Sequence, residues 1–414
     1  MTSTKQFCIS KNAVMDSWRC IRSNKGSAGV DGESIEEFEK DLKGNLYKIW
    51  NRMSSGTYFP PPVRTVSIPK KSGTGKRKLG IPTVGDRVAQ MVAKQYFEPL
   101  VEPSFHPNSY GYRPGKSAHQ AIAVTRERCW KFGWVLEFDI RGMFDNIDHE
   151  LMMKAVRVHT DCKWLLLYIE RWLKAPIMDE NGKLNPRTCG VPQGGVISPI
   201  LSNLFMHYAF DKWMTTHHPE LPICRYADDG LIHCRTKQEA ICLKAELARR
   251  LHLCKLELHP DKTKIVNCHP TGSVSGDIAT KFDFLGYQFR PRSVRSKMGK
   301  MFVGFTPAIS PASASAIRKT IRSWHLSRRT SIRIEDLAEW LNPIIRGWIQ
   351  YYGKFNRSAF NKILRYLDVK LLNWVKRKYK KHGKYTKRPK EWLGKVASTL
   401  PNLFAHWAYV RFPS

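Results

Sequence analysis

The sequence predicts an α+β core followed by a separate bundle of helices. Three features carry that prediction: short apolar runs that end or break in aspartate, helical segments between and beside those runs, and the loss of strand signals beyond about Phe302.

Taken in order, GSAGVDG at Gly26 to Gly32 reads as a flexible loop and a boundary. Ser34 to Ser54 then has helical spacing at Ile35, Phe38, Leu42 and Leu46. From Pro60 the pattern becomes a basic hairpin: VRTVSIPK alternates through Val63, Val66 and Ile68, KSGTGKRK supplies the turn, and LGIP resumes the strand. Trp134 to Phe138 is a compact apolar run ending in Asp139. Between Pro222 and Cys234, ICRYADDGLIHC has an acidic break at its centre, as a hairpin does. Trp164 to Lys174 and Gln238 to Leu253 read as helices lying against the same sheet. Farther on, helices are expected near Pro311 to Leu326, Ile334 to Gly353 and Phe360 to Lys380. The middle one should break at Asn342 and Pro343, because proline cannot donate the helical hydrogen bond. The expected divisions are residues 1–28, 29–134, 135–300, 301–382 and a basic tail at 383–414.

Lysine and arginine number 69 against 35 acids, a formal charge of +34. Each phosphate neutralised by such a chain releases counterions, so a nucleic acid is the expected partner. No stretch approaches the ~20 apolar residues of a membrane helix, so no membrane partner is expected. The ten cysteines form no C-x-x-C pair and sit mostly among apolar neighbours, which assigns them to core packing rather than zinc. Met1 to Asp16 lacks a continuous apolar run, so free thiols in a reducing compartment, a bacterial cytoplasm or nucleoid, are expected.

Asp139 closes one strand and Asp228 with Asp229 stands at the turn of a hairpin, so a shared sheet would gather the three carboxylates. Adjacent aspartates alone are commonly hydrogen-bonded turn residues. Gathered, they suit magnesium, and phosphoryl transfer to a primer 3′-hydroxyl needs two such ions ~4 Å apart. Asp145 and Asp148 read instead as loop-shaping and helix-capping residues before His149.

FDIRGMFDNIDHELM, GVPQGGVISPILSNLFMHYAFD, RYADDGLIHC, LHPDKTKIV and FDFLGYQF follow one another, and together they resemble the ordered blocks of reverse transcriptases. LNPIIRGWIQYYGKF and PNLFAHWAYVRF resemble the maturase-specific thumb and the terminus of group II intron-encoded members, and GSAGVDG resembles their extra N-terminal block. The resemblance, from about Gly26 to Phe412, implies a right-hand polymerase of fingers and palm with an antiparallel sheet, followed by an α-helical thumb or maturase domain. It implies an RNA-directed DNA polymerase using two Mg2+ ions, with Mn2+ as a substitute, held by Asp139, Asp228, Asp229 and the Ile140 carbonyl.

The resemblance also places Phe144 where an aromatic ring blocks a ribose 2′-hydroxyl, although a core phenylalanine would look the same. It sets Gln193 at the base-pairing site, with small neighbours that let nucleic acid approach. Arg64, Lys70 and Arg77 fall on triphosphate-clamping positions, and Lys262 near primer or nucleotide, or simply in solvent. Lys78 stands where the family often has proline. Arg113, in SYGYRPGKSAHQA before a helix starting at Ser117, suits template backbone.

In the helical region Ile344, Trp348 and Tyr351 form an expected packed stripe, leaving Arg346, Lys354 and Arg357 for phosphate. Lys376, Arg377, Lys380 and Lys381 belong to a basic, tyrosine-laced run that fits RNA or DNA, or a solvated face. Implied partners are a structured intron RNA, an RNA template with DNA primer, target DNA and deoxynucleoside triphosphates; a homodimer rests on family analogy alone. No histidine–cysteine cluster follows the thumb, so the nuclease module of some relatives is expected to be missing. Two other readings remain open: a reverse transcriptase in host defence or DNA repair, and a non-catalytic RNA-binding splicing cofactor.

Overall fold

The computed structural model describes residues 5–69, 75–269, 279–296, 298–379, 387–410 and 412. They form two compact units, residues 1–125 with 132–266, and residues 126–131 with 267–414.

The first unit opens with α1 (Lys11–Asn24), α2 (Ile35–Lys40) and α3 (Leu42–Ser54). The single helix expected over Ser34 to Ser54 is interrupted at Asp41, whose carboxylate caps Gly44 N–H at 3.2 Å and starts a new helix. The basic hairpin is present as β1 (Val63–Pro69) and β2 (Lys76–Ile81), antiparallel from Arg64 opposite Ile81 to Pro69 opposite Lys76. After α4 (Val84–Val101) comes α5 (Ala118–Lys131), which starts just after Ser117, as expected; the Ser117 hydroxyl accepts the Gln120 N–H while Gln120 Oε1 reaches back to Ser117.

Next come β3 (Trp134–Phe138), the short α6 (Met143–Asn146), α7 (His149–His159), α8 (Lys163–Lys174), and the small strands β4 (Ile177–Met178) and β5 (Leu184–Asn185). In α8, Trp164, Leu165, Tyr168, Ile169, Trp172 and Leu173 recur at helical spacing and are all buried, so burial of that stripe holds the helix in place. Asp148 caps α7 through Leu151 N–H at 2.9 Å. The unit closes with α9 (Ser198–Met206), a π-helical turn at His207–Asp211, α10 (Lys212–His217), β6 (Ile223–Tyr226), β7 (Asp229–Cys234), α11 (Lys237–Leu253) and β8 (Lys264–Asn267). Two sheets result, β2-β1-β4-β5 and β6-β7-β3-β8.

The second unit begins with β9 (Phe282–Phe284), β10 (Tyr287–Arg295) and β11 (Met301–Ile309). Strand structure thus runs past Phe302, where the sequence pattern fades. The division expected at 300/301 would separate β10 from β11, which pair along their whole length from Tyr287 opposite Ile309 to Arg295 opposite Met301. The helices are α12 (Pro311–Ser323), α13 (Ile334–Tyr352), α14 (Arg357–Lys378), α15 (Lys387–Thr399) and α16 (Ala405–Tyr409).

Four expectations are corrected here. The helix α13 does not break at Asn342 and Pro343 but runs through them. Leu337, Leu341 and Ile345 bury its inner face, whereas Pro343 and Glu339, whose carbonyl loses its donor, are exposed to water. The packed stripe is accordingly Leu337, Leu341 and Ile345; Ile344 lies on the surface, while Trp348 stacks on Trp324. The expected tail is also folded, since Leu393, Phe404, Trp407 and Val410 join the helical core and Asn342 bonds both Leu403 O and Ala405 N. Among the described residues no helix is long and apolar enough to cross a membrane. All ten cysteines are free; Cys8, Cys189 and Cys242 are exposed, which corrects their assignment to the core.

Candidate active site

The β6-β7-β3-β8 sheet assembles the acidic cluster. Phe138 pairs with Gly230 across β3 and β7, which sets Asp139, one residue past the end of β3, beside Asp229 at the start of β7. The fit demands glycine: a Cβ on Gly230 would fall 2.1 Å from the Phe138 ring. Between β6 and β7, Ala227 takes the left-handed conformation, φ 58°, and turns the chain through Asp228.

That turn is braced by an arrangement invisible in the acidic motif itself. Arg225, wholly buried in β6, pairs with the equally buried Asp211 through Nε–Oδ1 at 2.8 Å and Nη2–Oδ2 at 2.5 Å. Its Nη1 donates to Asn203 Oδ1 at 3.1 Å and to the Ala227 carbonyl at 2.9 Å, so the salt bridge grips the residue preceding Asp228. Asp211 comes from the π-helical turn, a distortion frequent at functional sites. The available signal was a charged residue inside the apolar run ICRY.

Electrostatically the cluster is under tension. Restricted solvation within the site, then the charges of Asp228 and Asp139, push the Asp229 carboxyl up to about 7, and Lys262 only partly offsets them. Asp228 is also raised, by restricted solvation first and Asp139 next. Lys262 pairs directly with Asp139. Among the described residues no group of three or more His, Cys, Asp and Glu side chains stands close enough to hold a metal ion as arranged. The donors nevertheless fit a hard divalent cation, which would relieve the mutual repulsion, and Lys262 already sets a positive charge there. Ile140 follows Asp139, is buried, and bridges to Leu258.

The nucleotide-side residues divide. Arg77 Nε donates to Gln193 Oε1 at 2.7 Å, joining the basic hairpin to the GVPQGG turn. Phe144 and Gln193 line one pocket of about 450 Å3, together with Lys78 and Gly80. The Phe144 carbonyl also receives Val191 N–H at 2.7 Å, so that residue holds the turn as well as facing the pocket. The glycine of the turn serves protein packing: a Cβ on Gly194, φ 127°, would meet the Gly80 carbonyl at 2.4 Å. Arg64, half-exposed, donates from Nη2 to Ala28 O at 2.7 Å and ties down the GSAGVDG loop. Lys70 lies outside the described residues.

Arg113 is not placed for template backbone. Its guanidinium forms two bonds to Glu102 Oε1, at 2.9 and 2.7 Å, and two more to the His106 and Ser109 carbonyls at 2.7 Å; its side chain is 6% exposed, leaving no fork for template. In the second unit Arg346, Lys354 and Arg377 are exposed and Lys376 is half-buried. Arg357 is exposed but engaged, bonding Tyr409 O and lying 4.3 Å from the Tyr409 ring. Lys380 and Lys381 lie outside the described residues.

A sheet presenting three crowded carboxylates at a hairpin turn, beside a glycine-bordered glutamine and a basic hairpin, defines a template-directed nucleotidyl transferase. Comparison with known proteins fixes the family: residues 68–289 match reverse transcriptase (RNA-dependent DNA polymerase), and residues 314–392 match the group II intron, maturase-specific domain. The chain belongs to the reverse transcriptase family, in its group II intron-encoded branch, and is an RNA-directed DNA polymerase. It is 32% identical over 345 residues to Protein YkfC of Escherichia coli, covering 74% of this chain and 87% of that protein. With the group II intron-encoded protein LtrA of Lactococcus lactis it shares 26% identity over 463 residues, covering 92% and 75%. With the putative COX1/OXI3 intron 1 protein of Saccharomyces cerevisiae it shares 29% over 208 residues, half of this chain and a quarter of that one. Divalent metal is general to the family.

Proposed function

We propose that this protein binds a group II intron RNA, assists its splicing and copies it into DNA during retrohoming, as a right hand with fingers, palm and helical thumb. The observation that carries the polymerase reading is the meeting of Asp139, Asp228 and Asp229 at one end of the β6-β7-β3-β8 sheet. These carboxylates, with the Ile140 carbonyl, hold the cation site. Two Mg2+ ions, or Mn2+ in their place, supply activation of the primer 3′-hydroxyl and neutralisation of the triphosphate when bound. Asp229, raised to about 7 by restricted solvation and its neighbouring carboxylates, is ionised for that purpose above neutral pH.

Phe144 presents its ring to the sugar of an incoming deoxynucleoside triphosphate and rejects a 2′-hydroxyl. Gln193, oriented by Arg77, faces the new base pair, and Lys262 offsets charge beside Asp139. The exposed cations Arg346, Lys354 and Arg377 grip intron RNA, primer–template and target DNA by backbone charge and shape. The setting is a bacterial cytoplasm or nucleoid, and the protein acts as a homodimer through its N-terminal half.

The test is extension of a DNA primer on an RNA template with magnesium and deoxynucleotides, beside an Asp228→Ala, Asp229→Ala control. Extension lost only in the control supports the polymerase and its metal site; no extension by the wild-type protein across salt concentrations would sink the reading.

A further inference from the structure

Arg187 stands out among the buried cations of the first unit. It follows β5, is 8% exposed, and both Nη1 and Nη2 are shut off from water without a hydrogen-bond partner among the described residues. The other buried arginines of the first unit are held through their terminal nitrogens, Arg225 by Asp211 and Arg87 by Nη2 donating to Ser27 O at 2.8 Å. Proteins rarely leave a guanidinium in that condition, because removing a charge from water without a partner is costly. Burial pulls Arg187 down to about 10, with the charge of Asp145 the main influence that favours its ionised form.

Arg187 lines the same pocket of about 450 Å3 as Phe144 and Gln193, walled by β1, β2 and the β4–β5 turn. The acids of that turn are already engaged. Asp179 accepts the N–H groups of Asn181 and Lys183 at 3.0 and 2.9 Å, and Glu180 accepts Ser67 N–H at 2.9 Å. Lys78 adds a second cation at the exposed rim. A buried planar fork with free N–H groups, a lysine at the mouth, and space for a ligand match the oxygens of a phosphate group.

We propose that Arg187 is the phosphate-binding residue of this pocket, receiving a nucleic-acid or nucleotide phosphate when the polymerase engages its substrates. The inference rests on the polymerase reading for its substrates, and it adds a contact outside the acidic cluster and the triphosphate-clamping hairpin. A phosphodiester of the RNA template and the triphosphate of the incoming nucleotide offer the same chemistry; kinetics separates them.

The experiment compares wild-type protein with Arg187→Met, an apolar residue of similar length, in the full chain. Three quantities are read: melting temperature without nucleic acid, affinity for a primed RNA template without nucleotide over a range of salt, and KM for the deoxynucleotide. The expected result is an unchanged or higher melting temperature, since an unpaired charge has been removed, with a loss of roughly ten- to a hundredfold in one binding quantity. Loss on the template arm, with the slope of log affinity against log salt reduced by about one, identifies the template phosphodiester. Loss confined to the KM for nucleotide identifies the triphosphate. A lowered melting temperature, which would make the guanidinium a structural partner, overturns the proposal, as does no change in either arm. If wild-type protein binds primed template but never extends it, the polymerase reading fails while the template arm still decides the fate of Arg187.

Discussion

The acidic turn of the first unit and the helical core of the second treat carboxylates in opposite ways. In the second unit Asp368 is 3% exposed and its Oδ1 accepts His406 Nε2 at 2.7 Å and Trp407 Nε1 at 3.1 Å. Through Oδ1 that carboxylate ties α14 to α16, while Oδ2 is buried without a hydrogen-bond partner among the described residues. At the turn, Asp228 and Asp229 repel Asp139 and each other, offset by the positive charge of Lys262 on all three and of Arg77 on Asp228. A carboxylate surrounded by donors is structural, and one crowded by carboxylates waits for a cation. Within the first unit the same contrast recurs: Asp86 receives Tyr58 Oη at 2.8 Å, Gln90 Nε2 at 2.9 Å and Trp172 Nε1 at 2.8 Å, whereas among the described residues Asp228 has no such ring of side-chain donors.

The contrast can be broken or sharpened by measurement. The largest effect is expected for Asp228→Asn, which should lower kcat for primer extension by roughly a thousandfold or more while leaving the melting temperature unchanged or raised. Parallel loss of stability would mean that Asp228 belongs with the structural carboxylates. Asp211→Asn should do the reverse in order of cause: it strands the buried Arg225 charge, costing about 3–5 kcal/mol in denaturant unfolding, and activity should fall through the loosened Ala227 turn.

Asp368→Ala should cost about 3 kcal/mol by leaving the His406 and Trp407 donors unpaired, with the cooperative unfolding of the second unit as readout. Equal stability to wild type would remove the comparison's structural half.

The pH response follows from the raised Asp229. Its folded value, about 7, lies above the ordinary carboxylate value, so its contribution to metal-free stability is fully present below about pH 4 and is lost as pH rises through 7. Asp229→Asn should lack that component between pH 4 and 7. Extension should fall as pH drops through 7, and more magnesium should move the falling limb to lower pH; a limb insensitive to magnesium would sever Asp229 from the cation. The smallest effect is expected for Arg346→Ala, an exposed cation: a severalfold loss of RNA affinity and a salt slope reduced by about one, with unchanged melting temperature.

Much of this was legible in the chain. Period-two runs and helical spacing placed β1, β2, β3, the YADD hairpin, α8 and α11, because each pattern is local. The ordered blocks identified the family and the three aspartates. Asn342–Pro343 misled because a local helix-breaking signal was outweighed by distant packing of Leu341 and Ile345, and the basic tail because Leu393, Phe404 and Trp407 pack into the helical core rather than extending as a tail.

By itself, then, the sequence determined the chemical class, the identity of the acidic residues and those strands and helices with a clear local period, since these depend on residue type and spacing along a short stretch. Only the tertiary structure decided which charged groups are satisfied. Arg113 reads as a free cation until Glu102 and two carbonyls close around it, Arg225 reads as a strand anomaly until Asp211 meets it, and Arg187 carries no motif at all. Hydrogen-bond partners and exclusion of water are set by contacts between residues far apart in the chain, and spacing along one segment does not encode them.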